Sequence, residues 1–121
     1  VVALRLGACD YQEGGSSVAD AVAAAKILEN AGVDLLDISG GLCGYRGNGS
    51  KVPGYFGEES KAIKQAVSVP VILTGGVRDG ASLENLLEQD KADLIGVGRA
   101  VLKDSQWAKK AFEELGISWT A

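Results

Sequence analysis

Four short runs of β-branched and aliphatic residues alternate with amphipathic stretches along this chain, and that alternation leaves few folds open to it. The runs at 1–6, 33–39, 69–74 and 93–97 have the length and composition of strands. Helical spacing of apolar residues marks 18–30, 58–67 and 82–89, then one short turn at 99–102 and a last helix capped by Ser105 and running to about Leu115. Strands that alternate with helices over short links run parallel, because each helix carries the chain back to the end where the next strand begins. The sequence therefore predicts an α/β fold with a parallel sheet.

Local signals support the boundaries. Ser17 reads as an N-cap, with Asp20 three residues on as its capping-box partner. Val22, Ala25, Ile27 and Leu28 form the apolar stripe of that helix, and Asn30-Ala31-Gly32 ends it. In the first strand Val2, Leu4 and Leu6 share one face, and Ala3 and Arg5 the other. In the second, Leu36 and Ile38 oppose Leu35, Asp37 and Ser39. Arg5 and Asp37 thus face the same side, and an ion pair between them is one expectation for a charged residue on an inward face.

The chain also echoes itself. Gly32-Val33-Asp34-Leu35-Leu36 and Lys91-Ala92-Asp93-Leu94-Ile95 both follow a helix and enter a strand at an Asp. Two tandem βαβα units fit a repeat-built barrel better than a doubly wound sheet. A (β/α)8 barrel takes roughly 250 residues, and this chain of 121 residues holds four βα units. The expectation is half of a (β/α)8 TIM barrel over 1–121, closed by dimerisation or by a missing N-terminal half, since a half barrel has two unpaired edges.

Two strand ends carry chemistry. Pro70 to Val77 is a buried strand that runs into Gly75-Gly76, and Ala92 to Ala100 repeats the idea with Gly96, Gly98 and Arg99. Glycines between a strand and a helix leave backbone N–H groups open to an anion, and the helix dipole adds to the attraction. Tight turns without a ligand are commoner than phosphate sites. A second glycine-bearing end favours phosphate here, because the loops after strands 7 and 8 of a (β/α)8 barrel are where phosphates bind. The backbone N–H of Arg99 is a better candidate than its side chain. The glycine-rich loop 40–55 reads either as a substrate-side lid walled by Tyr45 and Tyr55 or as a plain loop.

Other classes are disfavoured. The net charge is −4 with no basic run, which argues against nucleic acid. No apolar stretch approaches the ~20 residues of a membrane span, and no signal segment is visible. Cys9 and Cys43 are the two cysteines, and there is no His, so a zinc site or Cys–His nucleophile is hard to build. Two free thiols suit a reducing cytoplasm. The chain has no Met, at position 1 or elsewhere, so a mature product, a fragment or a trimmed chain is expected.

Several motifs stand in a familiar order: Leu4-Arg5-Leu6, Glu13-Gly14-Gly15-Ser16, the run from Ala31 to Gly41, Val69-Pro70-Val71-Ile72 with Gly75-Gly76, and Ala92 to Ala100 with Asp104. To about Ala111 the chain resembles the C-terminal half of the old yellow enzyme family, FMN-dependent NAD(P)H:flavin oxidoreductases. The resemblance implies an FMN-binding barrel of which these are the last four βα units. It implies that Arg5 meets the flavin pyrimidine, and that Gly75, Gly76, Gly98 and Arg99 hold the FMN phosphate. The parent enzyme would pass hydride from NAD(P)H through flavin N5 to an activated alkene. The family's substrate-binding His-His or His-Asn pair, a flavin-contacting Gln, the residue near flavin C4 and usually the proton-donating Tyr lie on earlier strands, so no catalytic residue is expected here. Gly7 stands where many relatives have Ser, and Ser105 where they have Pro. The rival readings are a phosphate-binding scaffold fragment without activity of its own and a sugar-phosphate barrel enzyme, which would have no need of Arg5.

Overall fold

The computed structural model describes residues 1–43 and 51–120. Its elements are β1 (Ala3–Gly7), α1 (Val18–Asn30), β2 (Leu35–Ser39), α2 (Gly57–Lys64), β3 (Val71–Thr74), α3 (Gly80–Glu88), β4 (Leu94–Gly96), α4 (Arg99–Lys103) and α5 (Trp107–Glu114). The four strands pair in chain order and all run parallel. This is the half-barrel arrangement that the alternation predicts.

One face of the sheet is packed and the other is open. Leu36, Ile38, Val71 and Leu73 have no exposed surface, and they meet Ala21 and Ala25 of α1, Ile63 of α2 and Leu86 of α3 in two adjoining clusters. Arg5, Asp37 and Ile72 alternate with them on the opposite face. The period-2 pattern of the strands is what separates an apolar helix-covered side from a side that carries charge.

The capping box forms as expected: Ser17 N–H donates to the Asp20 carboxylate at 2.8 Å, and Asp20 N–H donates back to Ser17 Oγ. The stripe of α1 keeps the expected Val22, Ala25 and Leu28 but gains Ala21 in place of Ile27. Ala21 and Ala25 are its buried residues, while Ile27 is 68% exposed. Small side chains face the sheet and let the helix approach it closely, and the larger Val22 and Leu28 pack at the flanks.

Other boundaries shift as well. The strands are shorter than their apolar runs, and α2 ends at Lys64 rather than Val67. Helix α3 begins at Gly80, two residues before the expected Ser82, because Asp79 is its cap: the Asp79 carboxylate accepts the Ser82 N–H at 2.8 Å. Glu114 of α5 accepts the Gly80 N–H at 2.9 Å. Ser105 does not cap α5. Asp104 turns the chain instead, accepting the Gln106 N–H at 2.9 Å on its side chain and the Trp107 N–H at 3.0 Å on its carbonyl.

The internal echo has a physical content. Asp34 N–H donates to Val2 O at 2.8 Å, and its carboxylate accepts Val2 N–H at 2.7 Å. Asp93 does the same to Val71, with both bonds at 2.9 Å. Each Asp brackets the entry of the preceding strand. The second bracket is further tied by Lys64, whose ammonium reaches Asp90 at 2.6 Å and Asp93 at 3.2 Å.

Candidate functional site

At the carboxyl ends of the strands an open groove of about 1380 Å³ runs from Arg5 on β1 to Lys103 at the end of α4. Arg5, Gly75, Gly76, Gly98 and Arg99 all line it. The sheet brings them together because parallel strands put their carboxyl ends on one side, however far apart they lie in sequence.

Arg5 and Asp37 are register partners on β1 and β2. Arg5 Nε and Nη2 both donate to Asp37 Oδ2, at 2.8 and 2.5 Å. The Arg5 side chain remains 63% exposed, whereas Asp37 Oδ1 is buried with no hydrogen-bond partner among the described residues. Asp37 therefore anchors Arg5 from below while the cation stays open to the groove. Thr74 Oγ1 donates to Ile38 O at 2.8 Å and ties the ends of β3 and β2 together.

The glycine turn after β3 has two consecutive left-handed residues, Gly75 at φ +122 and Gly76 at φ +74. A side chain would be strained at either. It would also collide with Tyr55, whose ring carbons lie 2.7 Å from a Cβ at Gly75 and 2.8 Å from one at Gly76. Gly98 differs: a Cβ there meets nothing within 4 Å. It stands immediately before Arg99, where α4 begins.

Two cations that sequence reasoning passed over also line the groove, Arg78 and Lys103. A signal for both existed. Arg78 follows the glycine pair by two residues, and Lys103 stands one helical turn beyond Arg99. Among the described residues, four cationic side chains and one carboxylate, that of Asp37, thus line the groove in a chain whose net charge is −4. These residues fit a ligand with a phosphate at the glycine-bearing end and an electron-rich planar head near Arg5.

The neighbouring loops are pinned by side chains. Asp10 accepts the Ser16 N–H at 2.7 Å and the Leu42 N–H at 2.6 Å, and these bonds, Ser16 first, hold its carboxyl below the ordinary value. Tyr11 donates to buried Glu59 at 2.5 Å; burial and then this bond push its phenol up. Cys9 and Cys43 are half-buried, and no disulfide joins them. Tyr55, one expected wall of the loop 40–55, lines the groove; Tyr45, the other, lies outside the described residues. Among the described residues no cluster of His, Cys, Asp or Glu could hold a metal, and no helix is long and apolar enough to cross a membrane.

Fold and groove together define an α/β half barrel with an anion-favouring site where its last two strands end. The family described as NADH:flavin oxidoreductase / NADH oxidase matches residues 1–117, and the chain belongs to it. Membership implies FMN as the family's cofactor. Relatives include the NADPH dehydrogenase of Bacillus pumilus, 35% identical over 95% of this chain, and the NADH oxidase of Thermoanaerobacter brockii, 33% identical over 93%. The chain spans 34% of the first relative's length and 18% of the second's. Among solved structures, a 2-naphthoyl-CoA reductase in complex with 2-naphthoyl-CoA superposes over 91% of this chain and 17% of its own, with a TM-score of 0.74 at 21% identity. The geranylgeranylglyceryl phosphate synthase of Thermoplasma acidophilum covers 74% of this chain and 33% of its own, with a TM-score of 0.51 at 23% identity. Both likenesses concern the fold alone.

Proposed function

We propose that this chain is the FMN-holding half of an NAD(P)H-dependent flavin oxidoreductase of the ene-reductase type, and that residues 1–121 are its C-terminal half barrel. The observation that carries the proposal is the convergence, in an otherwise acidic chain, of Arg5, two glycine-bearing strand ends and three further cations on one groove. A reducing cytoplasm is its setting, where Cys9 and Cys43 stay out of a disulfide.

Each residue has a distinct part. Backbone N–H groups of Gly75 and Gly76, with those at Gly98 and Arg99, hold the phosphate. Arg78 and Lys103 raise the local positive potential and draw the anion in. Arg5 sets its charge at the pyrimidine end, where it favours an electron-rich ring. Asp37 holds the guanidinium through Nε and Nη2 and leaves Nη1 to donate elsewhere. When bound, FMN supplies hydride transfer between NAD(P)H and an activated alkene. Nothing in this chain takes the role of a substrate-binding His pair, since it has no His. A second copy or the remaining barrel units would cover the open face and the free edges of β1 and β4.

Titration with FMN, followed by flavin fluorescence, tests the proposal. The expected result is micromolar binding, weakened about tenfold by Arg5→Ala, with affinity for inorganic phosphate unchanged. A folded sample that binds no FMN at micromolar concentration refutes it. Sedimentation of a compact monomer that binds FMN and turns over NADPH with an enone would refute the division into two halves.

A further inference from the structure

The segment before α2 makes an unexpected contact with the glycine turn. Tyr55 lays its ring across both glycines at once. One ring edge, Cε2 and Cδ2, faces the Cβ position of Gly75, and the other, Cε1 and Cδ1, faces that of Gly76. Gly54 N–H donates to Gly75 O at 2.7 Å, a backbone bond across the same turn. Next along the chain, Phe56 is 1% exposed and anchors the cluster beneath, and Tyr55 meets it edge-on at 4.8 Å. Gly54 is pressed against Leu86 of α3, where a Cβ would lie 2.6 Å from a leucine methyl. The segment is therefore wedged between α3 and the end of β3.

Two consecutive glycines have more conformational freedom than any other pair, so a turn made of them needs an outside constraint to present its N–H groups in one arrangement. We infer that Tyr55 is a positioning residue for the anion cradle: its ring is the surface on which the Gly75-Gly76 turn is held, and it acts on a phosphorylated ligand through that turn. The inference rests on the FMN reading only for the identity of the ligand. It explains why both positions require glycine. A side chain at either would displace the ring as well as strain the backbone.

The test compares FMN with riboflavin, which carries the same ring system without the phosphate. Tyr55→Ala is expected to weaken FMN binding about tenfold and leave riboflavin binding within about twofold of wild type, while Tyr55→Phe keeps wild-type affinity for both. Equal losses for FMN and riboflavin would place Tyr55 at the ring of the ligand and overturn the inference, as would an unchanged FMN affinity in Tyr55→Ala. A second measurement needs no ligand. Amide hydrogen exchange at Gly75 and Gly76 should be faster in Tyr55→Ala by about tenfold and unchanged in Tyr55→Phe. Unchanged exchange overturns the inference whatever FMN does. Normal bracing in a wild-type protein that binds no FMN upholds the brace and refutes the cofactor. If Tyr55→Ala does not fold, Tyr55→Leu keeps the bulk without the flat face, and the same outcomes apply.

Discussion

The two ends of the sheet are built from similar materials and do opposite work. At the amino ends, Asp34 and Asp93 bracket the preceding strand with paired backbone and side-chain bonds, and Lys64 closes the second bracket. Charges there are matched and spent on register. At the carboxyl ends, among the described residues, four cations and one carboxylate line the groove, an oxygen of that carboxylate is buried without a hydrogen-bond partner, and two glycines adopt left-handed backbone. Among the described groove residues, cations outnumber carboxylates. The amino end of a barrel sheet is where stability is stored and the carboxyl end is where ligands bind. A half barrel keeps that polarity because it arises within each βα unit.

If the comparison is right, mutations at the two ends should separate stability from binding. The largest expected effect is at the amino end. Asp93→Ala leaves the N–H of fully buried Val71 without its carboxylate and should lower unfolding free energy by about 1–3 kcal/mol in urea titration, with FMN affinity unchanged. Asp34→Ala, whose partner Val2 is exposed to water, should cost less, about 0.5–1 kcal/mol. A fall in FMN affinity in either variant would break the comparison.

Arg78→Ala and Lys103→Ala should do the reverse. Each is expected to weaken FMN binding about two- to threefold at low salt, with the loss vanishing near 1 M salt and the urea midpoint unmoved. Loss of stability without loss of affinity would mean that these cations belong to the scaffold.

The smallest effect is with acid. The Asp10, Asp20 and Asp79 carboxyls are held below the ordinary 3.8 by hydrogen bonds from Ser16 and Leu42, from Ser17 and from Ser82 respectively. A carboxyl with a lower value in the folded than in the unfolded chain contributes stability in full above the unfolded value and loses it as pH falls through the folded one. Stability should therefore be flat from neutral pH to about 4 and fall below it. Asp10→Asn should make the loop ends at Ser16 and Leu42 insensitive to that fall, which proton exchange at their amides would read.

Much of this was legible because it is local or periodic. Strand alternation placed Arg5 and Asp37 on one face, and the structure pairs them. The capping box of α1 needed only Ser17 and Asp20 in register. The repeated Asp at each strand entry was visible as a pattern, but its bracket was not, since it needs the preceding strand beside it. Where expectations missed, a distant residue had decided the outcome. Glu114 from α5 helps set the start of α3, and close packing on the sheet turned Ile27 outward in favour of Ala21.

By itself the sequence determined the parallel α/β order, the open charged face and the two glycine-bearing strand ends, because strand period, helix caps and glycine freedom act within a few residues. Only the tertiary structure decided that Tyr55 lies across Gly75 and Gly76, and that Arg78 and Lys103 share a groove with Arg5. Spacing set Arg78 beside the glycine pair and Lys103 one turn from Arg99, but the groove that joins them to Arg5, and the contact of Tyr55 with the turn, are made through space once the sheet has formed.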